Sequence, residues 1–183
     1  MCHSNRTNLP RRSRYSDSFI GGALRPLDRD KAEQELAVHL RKATSPEETS
    51  PKQKHVRKCI VYTWDHKSSQ SIWSGLRSLP IMNDDIQTFK ALIVVHKILQ
   101  EGHPVVLREA QSQMGWLDTC ARMSSTSPRN YSQLIQAYVS FIHAKLRFHR
   151  MHKEFNGLFE YEEYISLKTV SYTHLTLPTT PYV

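Results

Sequence analysis

The segment that most constrains the fold is residues 84–100. There Ile86, Phe89, Leu92, Ile93, Val95 and Leu99 fall on nearly every side of a helix. A helix that is apolar all round has no face to give to water, so other elements must enclose it. Asn83, Asp84 and Asp85 offer N-cap oxygens at its start, and Gly102 stands where a left-handed C′ residue is expected. The enclosing elements read as helices too. Ala32, Leu36, Val38, Leu40 and Ala43 mark one over residues 28–43, with Asp28 or Asp30 as its cap. Val56, Cys59, Ile60 and Tyr62 stripe a second over 52–66, with Pro51 at its start. Ser68 and Ser69 cap a short helix carrying Ile72, Trp73, Leu76 and Leu79 inward, and Pro80 stops it. Pro104 restarts a helix through Val106, Leu107, Met114 and Leu117. A long helix follows over 131–153, striped by Tyr131, Leu134, Ile135, Tyr138, Ile142 and Leu146, and 161–167 reads as a further short helix. Strand signals are nearly absent. The expectation is an all-α bundle or superhelix of antiparallel helices joined by short loops.

The ends differ in character. Residues 1–27 are polar and basic without helical periodicity and read as a disordered N-terminal segment. Residues 169–183 are rich in Thr and β-formers and read as an atypical, non-native tail. The longest apolar run, 91–95, is far short of a bilayer span, and no signal-peptide core precedes it. Three widely spaced cysteines give neither a disulfide framework nor a zinc pattern, which points to a reducing, cytosolic setting. Cys59 reads as core. His149 and His152, with His143 and Glu154 nearby, have no specific ligand spacing, so no metal is expected. His96 reads as a core or groove histidine. There is no phosphate-cradling glycine loop and no nucleophile elbow, and Asp84–Asp85 is better read as a cap than as acid–base machinery. No catalytic residue, cofactor or enzymatic activity is expected.

The net charge of +8 permits nucleic acid, anionic lipid or an acidic partner. Its placement narrows the choice. Arg41 and Lys42 end the first helix, and Lys52, Lys54, His55, Arg57 and Lys58 open the second. Two helix ends and one loop therefore share a basic neighbourhood. The first turn of a helix presents unpaired N–H groups and a positive dipole end, and lysines there add charge without demanding a fixed approach geometry. Several phosphates could be held at the surface. The bland alternative is a solvated charge run, and Glu47 and Glu48 in the loop support it by offsetting the field. Nucleic acid is disfavoured because no exposed aromatics interleave the cluster and Trp73 lies on an apolar stripe.

The residues also resemble a known family. The sequence reads Lys42-Ala43-Thr44, then nine residues after Lys42 stops, Lys52-Gln53-Lys54-His55, which is similar to the loop signature of the ANTH family. Downstream, "FKALIVVHKILQEGHP", "YSQLIQAYVSFIHAKLRFH" and "FNGLFEYEEYISLK" resemble the first half of that domain in fungal clathrin–actin adaptors related to huntingtin-interacting protein. The resemblance covers residues 28–168. It implies a right-handed ENTH/ANTH/VHS-like superhelix, truncated after 168. It also implies binding of phosphatidylinositol 4,5-bisphosphate in clathrin-mediated endocytosis, peripheral at the inner plasma membrane and at endocytic actin patches. Lys42, Lys52, Lys54 and His55 carry over as head-group contacts, with Arg41, Arg57 and Lys58 as general attraction. A lysine that some relatives carry four positions before Lys42 is Val38 here. Epsin-type ENTH domains are implied partners, and clathrin coat and actin would be reached through regions absent from this chain. The alternative is a helical interaction scaffold, like a VHS cargo module, without specific lipid binding.

Overall fold

The computed structural model describes residues 26–124 and 131–161. The helices are α1 (Pro26–Ala43), α2 (Gln53–His66), α3 (Gln70–Ser78), α4 (Asp85–Glu101), α5 (Val105–Glu109), α6 (Met114–Ser124) and α7 (Ser132–Met151). Short 3-10 turns at Ile81–Asn83 and Ala110–Gln113 join α3 to α4 and α5 to α6. Among the described residues there is no strand, only an isolated bridge between Phe155 and Tyr161.

The apolar segment is the central helix, as its pattern required. Along α4, Ala91, Leu92, Val94, Val95, Ile98 and Leu99 are all buried. α4 packs against α1 and α2 on one side and α6 and α7 on the other, while α1 also pairs with α2 and α3, and α6 with α7. Leu36 and Leu40 of α1, Cys59 of α2, Ile72 and Trp73 of α3, Leu117 of α6, and Ile142 and Leu146 of α7 complete one continuous core. Burial pushes the Cys59 thiol up to about 12, which keeps it an inert apolar group. On the outer side of α7, Leu134 and Phe141 remain exposed.

Three boundaries differ from the sequence reading. α1 begins at Pro26, two residues ahead of Asp28. A proline in the first turn lacks only an N–H that would go unpaired, and Asp28 then favours the dipole from within that turn. The stretch read as one helix from Pro104 is broken by the turn at Ala110–Gln113. Gly102 follows α4 in extended conformation, φ −77° and ψ 172°, not left-handed. Its lack of a side chain serves close approach instead, since a Cβ there would lie 2.4 Å from the Ile98 carbonyl oxygen and 3.1 Å from Thr63 Oγ1. The disordered reading of 1–25, the tail over 169–183 and all of the short helix over 161–167 except Tyr161, which bridges to Phe155, lie outside the described residues.

The helix N-termini are treated unequally. Asp84 caps α4, its carboxylate accepting from Ile86 N at 2.7 Å. At α3 the N-cap residue Ser69 makes no side-chain cap bond, and Ser68 Oγ accepts from Gln70 N at 3.2 Å instead. Glu109 of α5 accepts from Ser69 N and Ser69 Oγ, each at 2.6 Å, so its carboxylate closes that end. α2 has no side-chain cap and no acidic residue in its first turn.

Candidate functional site

The uncapped end of α2 is where the sequence placed its basic cluster. The chain leaves α1 at Ala43, crosses a nine-residue irregular span with Pro46 and Pro51, and re-enters helix at Gln53. Lys52 holds the N-cap position with extended backbone, φ −64° and ψ 117°. Its carbonyl accepts from His55 N at 2.9 Å, which starts the helix. The first turn is therefore fixed as a helix end while its leading side chains are all basic or amide. Lys42, Lys52 and Lys54 are exposed, as are Arg41, Arg57 and Lys58. Lys54, Arg57 and Lys58 lie at helical i, i+3 and i+4 spacing and share the outer face of α2. Val38 is exposed on α1, one turn before Lys42.

His55 sits differently from its three lysine companions. It is only 7% exposed, and its Nδ1 faces His39 Nδ1 at 2.8 Å. One ring must donate and the other accept there, so both nitrogens cannot carry protons at once. Burial lowers the His55 pKa, and His39, Lys54, Lys42 and Lys52 lower it further by repulsion. An anion seated among them would reverse the sign of the field on His55.

The connecting span is held from beneath by two residues that sequence reasoning did not single out. Lys90 of α4 is buried, and its Nζ donates to Ser45 Oγ at 2.9 Å and to the Glu47 carbonyl at 3.0 Å. Gln87, one turn earlier, donates through Nε2 to the Thr44 carbonyl at 3.0 Å. Desolvation lowers the Lys90 pKa, Glu47 opposes this, and Lys52 adds to it. Thr44 itself turns its hydroxyl back to the Leu40 carbonyl at 2.9 Å. The available signal was a lysine and a glutamine at i and i+3 on an otherwise apolar helix, which need partners when buried.

The two loop acids that argued for a bland surface are drawn to other groups. The Glu48 carboxylate accepts from the Tyr131 hydroxyl at the start of α7. Glu47 offsets the charge of Lys90.

The remaining sequence candidates are dispersed. His96 Nδ1 lies 2.8 Å from the Tyr138 hydroxyl, and burial drives its pKa down to about 4, so it is a satisfied neutral groove histidine. His152 pairs with Glu154 at 3.2 Å, and His143 with Asp118 at 3.4 Å. Among the described residues no group of three or more His, Cys, Asp or Glu converges on a metal-sized site. Trp73 is buried, edge-on to Trp116 at 5.6 Å. Trp64 is exposed but lies ten residues along α2 from Lys54, about 15 Å away at the helical rise, so it cannot stack on a ligand of the lysine cluster. Among the described residues, no helix is long and apolar enough to cross a membrane.

Comparison with known proteins follows this geometry. The sequence model of the ANTH domain matches residues 35–178. Endocytosis protein end4 of Schizosaccharomyces pombe is 49% identical over 145 residues, covering 78% of this chain and 13% of that protein. Protein SLA2 of Saccharomyces cerevisiae is 51% identical over 142 residues, covering 77% of this chain and 15% of that protein. The chain therefore spans a small part of these relatives. Among solved structures, a chain of the ENTH domain from epsin-2 in complex with phosphatidylinositol 4,5-bisphosphate matches with TM-score 0.71 and 63% identity over 77% of this chain and 55% of that one. A chain of the endocytic adaptor complex AENTH matches with TM-score 0.67 and 51% identity over 76% and 56%. A chain of helical ANTH and ENTH tubules on membranes containing this lipid matches with TM-score 0.54 and 50% identity over 65% and 44%.

Proposed function

This chain belongs to the ANTH domain family, and on that premise we propose that it binds the head group of phosphatidylinositol 4,5-bisphosphate at the α2 N-terminus. The family is an adaptor family, and the chain is not an enzyme. The observation that carries the proposal is the uncapped first turn of α2, with Lys52 and Lys54 exposed in it and Lys42 exposed at the facing end of α1. Unpaired N–H groups and the dipole favour an anion, and three mobile ammonium groups can follow several phosphates. The lysines are the contacts. His55 is the neutral inner wall that becomes a donor as phosphate offsets the lysines' repulsion. Arg41, Arg57 and Lys58 add long-range attraction to an anionic surface, each worth about 1 kcal/mol near such a membrane. Attachment is through surface charge and head-group contact.

In its full-length setting, the domain brings an endocytic coat adaptor to the inner face of the plasma membrane and assembles there with ENTH domains. This reading is supported by the family and by the related assemblies on membranes containing the same lipid. Links to clathrin and actin would reside in other parts of a longer protein.

Liposome co-sedimentation tests the lipid reading. Vesicles with phosphatidylinositol 4,5-bisphosphate are compared with phosphatidylserine vesicles of matched total charge, using the wild type and Lys52→Ala/Lys54→Ala. Preference for the phosphoinositide, lost in the variant, is the expected result. Equal binding to both lipids would reduce the cluster to unspecific charge.

A further inference from the structure

At the opposite end of α2 lies a cleft that the lipid reading does not use. Its volume is about 760 Å³, within the range of sites that enclose a drug-sized ligand or a few peptide residues. Its walls come from the C-terminal ends of α2, α4 and α7, from α5, and from the turn at 155–158.

The cleft is built rigidly. Gly157 packs on the end of α4 so closely that a Cβ there would lie 2.0 Å from the Leu99 carbonyl oxygen. Buried Lys145 donates to the Gly157 carbonyl. Asn156 Oδ1 accepts from Leu158 N at 2.9 Å and Glu160 N at 3.0 Å, which closes the turn on itself. Trp64 is 52% exposed, yet its Nε1 donates to the Glu101 carbonyl at 2.9 Å, so the ring is held in place before any ligand arrives. A fixed, half-exposed tryptophan is the kind of side chain that anchors interfaces at low entropic cost.

The chemistry of the lining is mixed in a specific way. Trp64, Leu107 and Leu158 give an apolar surface, and Arg108, Arg150 and Lys153 stand around it. Among the described residues these three cations have no carboxylate partner, while the one acid on the rim, Glu101, pairs with Lys97 at 3.4 Å. His149 also lines the cleft. It is 6% exposed, its ring stacks on Phe159 at 5.0 Å, and both ring nitrogens are closed off from the cleft. Burial first, and Lys145 second, lower its pKa, while a backbone hydrogen bond with Phe155 opposes them, so it is a neutral part of the wall.

We propose that this cleft docks a linear acidic peptide carrying one large apolar side chain. The apolar anchor seats beside Trp64 and Leu107, and flanking carboxylates meet Arg108, Arg150 and Lys153. A peptide is favoured because the volume suits a few residues and the cations stand apart around an apolar floor, which matches an apolar side chain with acidic neighbours along a chain. The inference stands independently of the head-group site.

The test is selection of a phage-displayed random dodecapeptide library on the protein, followed by fluorescence anisotropy of the enriched peptides. Wild type is compared with Arg150→Glu/Lys153→Glu, Trp64→Ala and Lys52→Ala/Lys54→Ala. All the replaced side chains are exposed, so the variants keep the wild-type circular dichroism. Expected are peptides with acidic residues flanking Trp, Phe or Leu, bound about tenfold more weakly by each of the first two variants and unchanged by the third. No enrichment, or equal binding to all variants, would overturn the proposal. Three reassignments would overturn it as well: loss of phosphatidylserine vesicle binding in Arg150→Glu/Lys153→Glu without any peptide effect, self-association abolished by that variant, or displacement of every selected peptide by a synthetic peptide of residues 162–183.

Discussion

The two ends of α2 share a helix and little else. At its N-terminus the lysines and arginines are exposed around a helix end, and the adjoining loop is held from below by Lys90 and Gln87. At its C-terminus the basic groups ring a concave apolar floor, and rigidity is supplied by the walls, through Trp64 and the turn at Asn156. The first arrangement suits a ligand whose charge is dense and whose shape matters little, as with a multiply phosphorylated head group on a flat membrane. The second suits a ligand whose apolar shape matters and whose charge is spread. Positive charge alone does not separate these two; its mounting does.

The largest expected effect breaks the first end alone. Lys52→Glu/Lys54→Glu lowers phosphoinositide-vesicle affinity by about 30-fold or more, from about 1 kcal/mol for each lysine before reversal is counted. Peptide binding at the far cleft stays unchanged in the same protein. Flotation and anisotropy on one preparation check both halves.

A smaller effect separates charge from its mounting. Lys90→Met keeps every exposed lysine but removes the two bonds that hold the loop at Ser45 and Glu47. The expected loss is about fivefold in head-group affinity, with little change toward phosphatidylserine, because only the preorganised site loses. Lys90→Arg recovers part of it. Equal losses on both lipids would make Lys90 only another charge.

How much of this was legible follows from where the residues sit in the chain. Lys42 through His55 lie within one short stretch, so spacing and residue type revealed the first end directly. The central burial of α4 was legible because no other placement suits an all-round apolar helix. Lys90 was hidden by that same pattern, since an isolated lysine on a core helix gives no hint of which loop it will reach. His55 was read as a head-group contact, and its place against His39, sixteen residues earlier, becomes meaningful only once α1 and α2 pair. The cleft was illegible because its groups come from α2, α4, α5, α7 and a turn. His149 was weighed only for metal, through its spacing to His152. What distinguishes it is burial in the cleft wall against Phe159, which no spacing encodes.

Acid gives a third, smaller effect and its sign is fixed. His55 has a lowered pKa in the free protein, and a bound phosphate raises it, so binding takes up a proton. Head-group affinity therefore rises as pH falls from neutral toward 6, by about two- to fivefold, and His55→Gln flattens the profile. The fold responds oppositely. His96 is held neutral down to about 4 against an ordinary 6.5, so the unfolded chain takes its proton first, and stability falls progressively as pH drops between those values. Thermal melts across that window check the sign, and His96→Gln reduces the slope.

The most direct measurement is amide nuclear magnetic resonance with soluble inositol 1,4,5-trisphosphate, the head group without its membrane. The account expects saturable shifts at the amides of Lys52, Gln53 and Lys54 and at the His55 ring, with residues around Arg108 and Arg150 silent. Weak, unsaturating shifts spread over both basic ends would contradict it, because the α2 N-terminus would then be a charged surface and not a site.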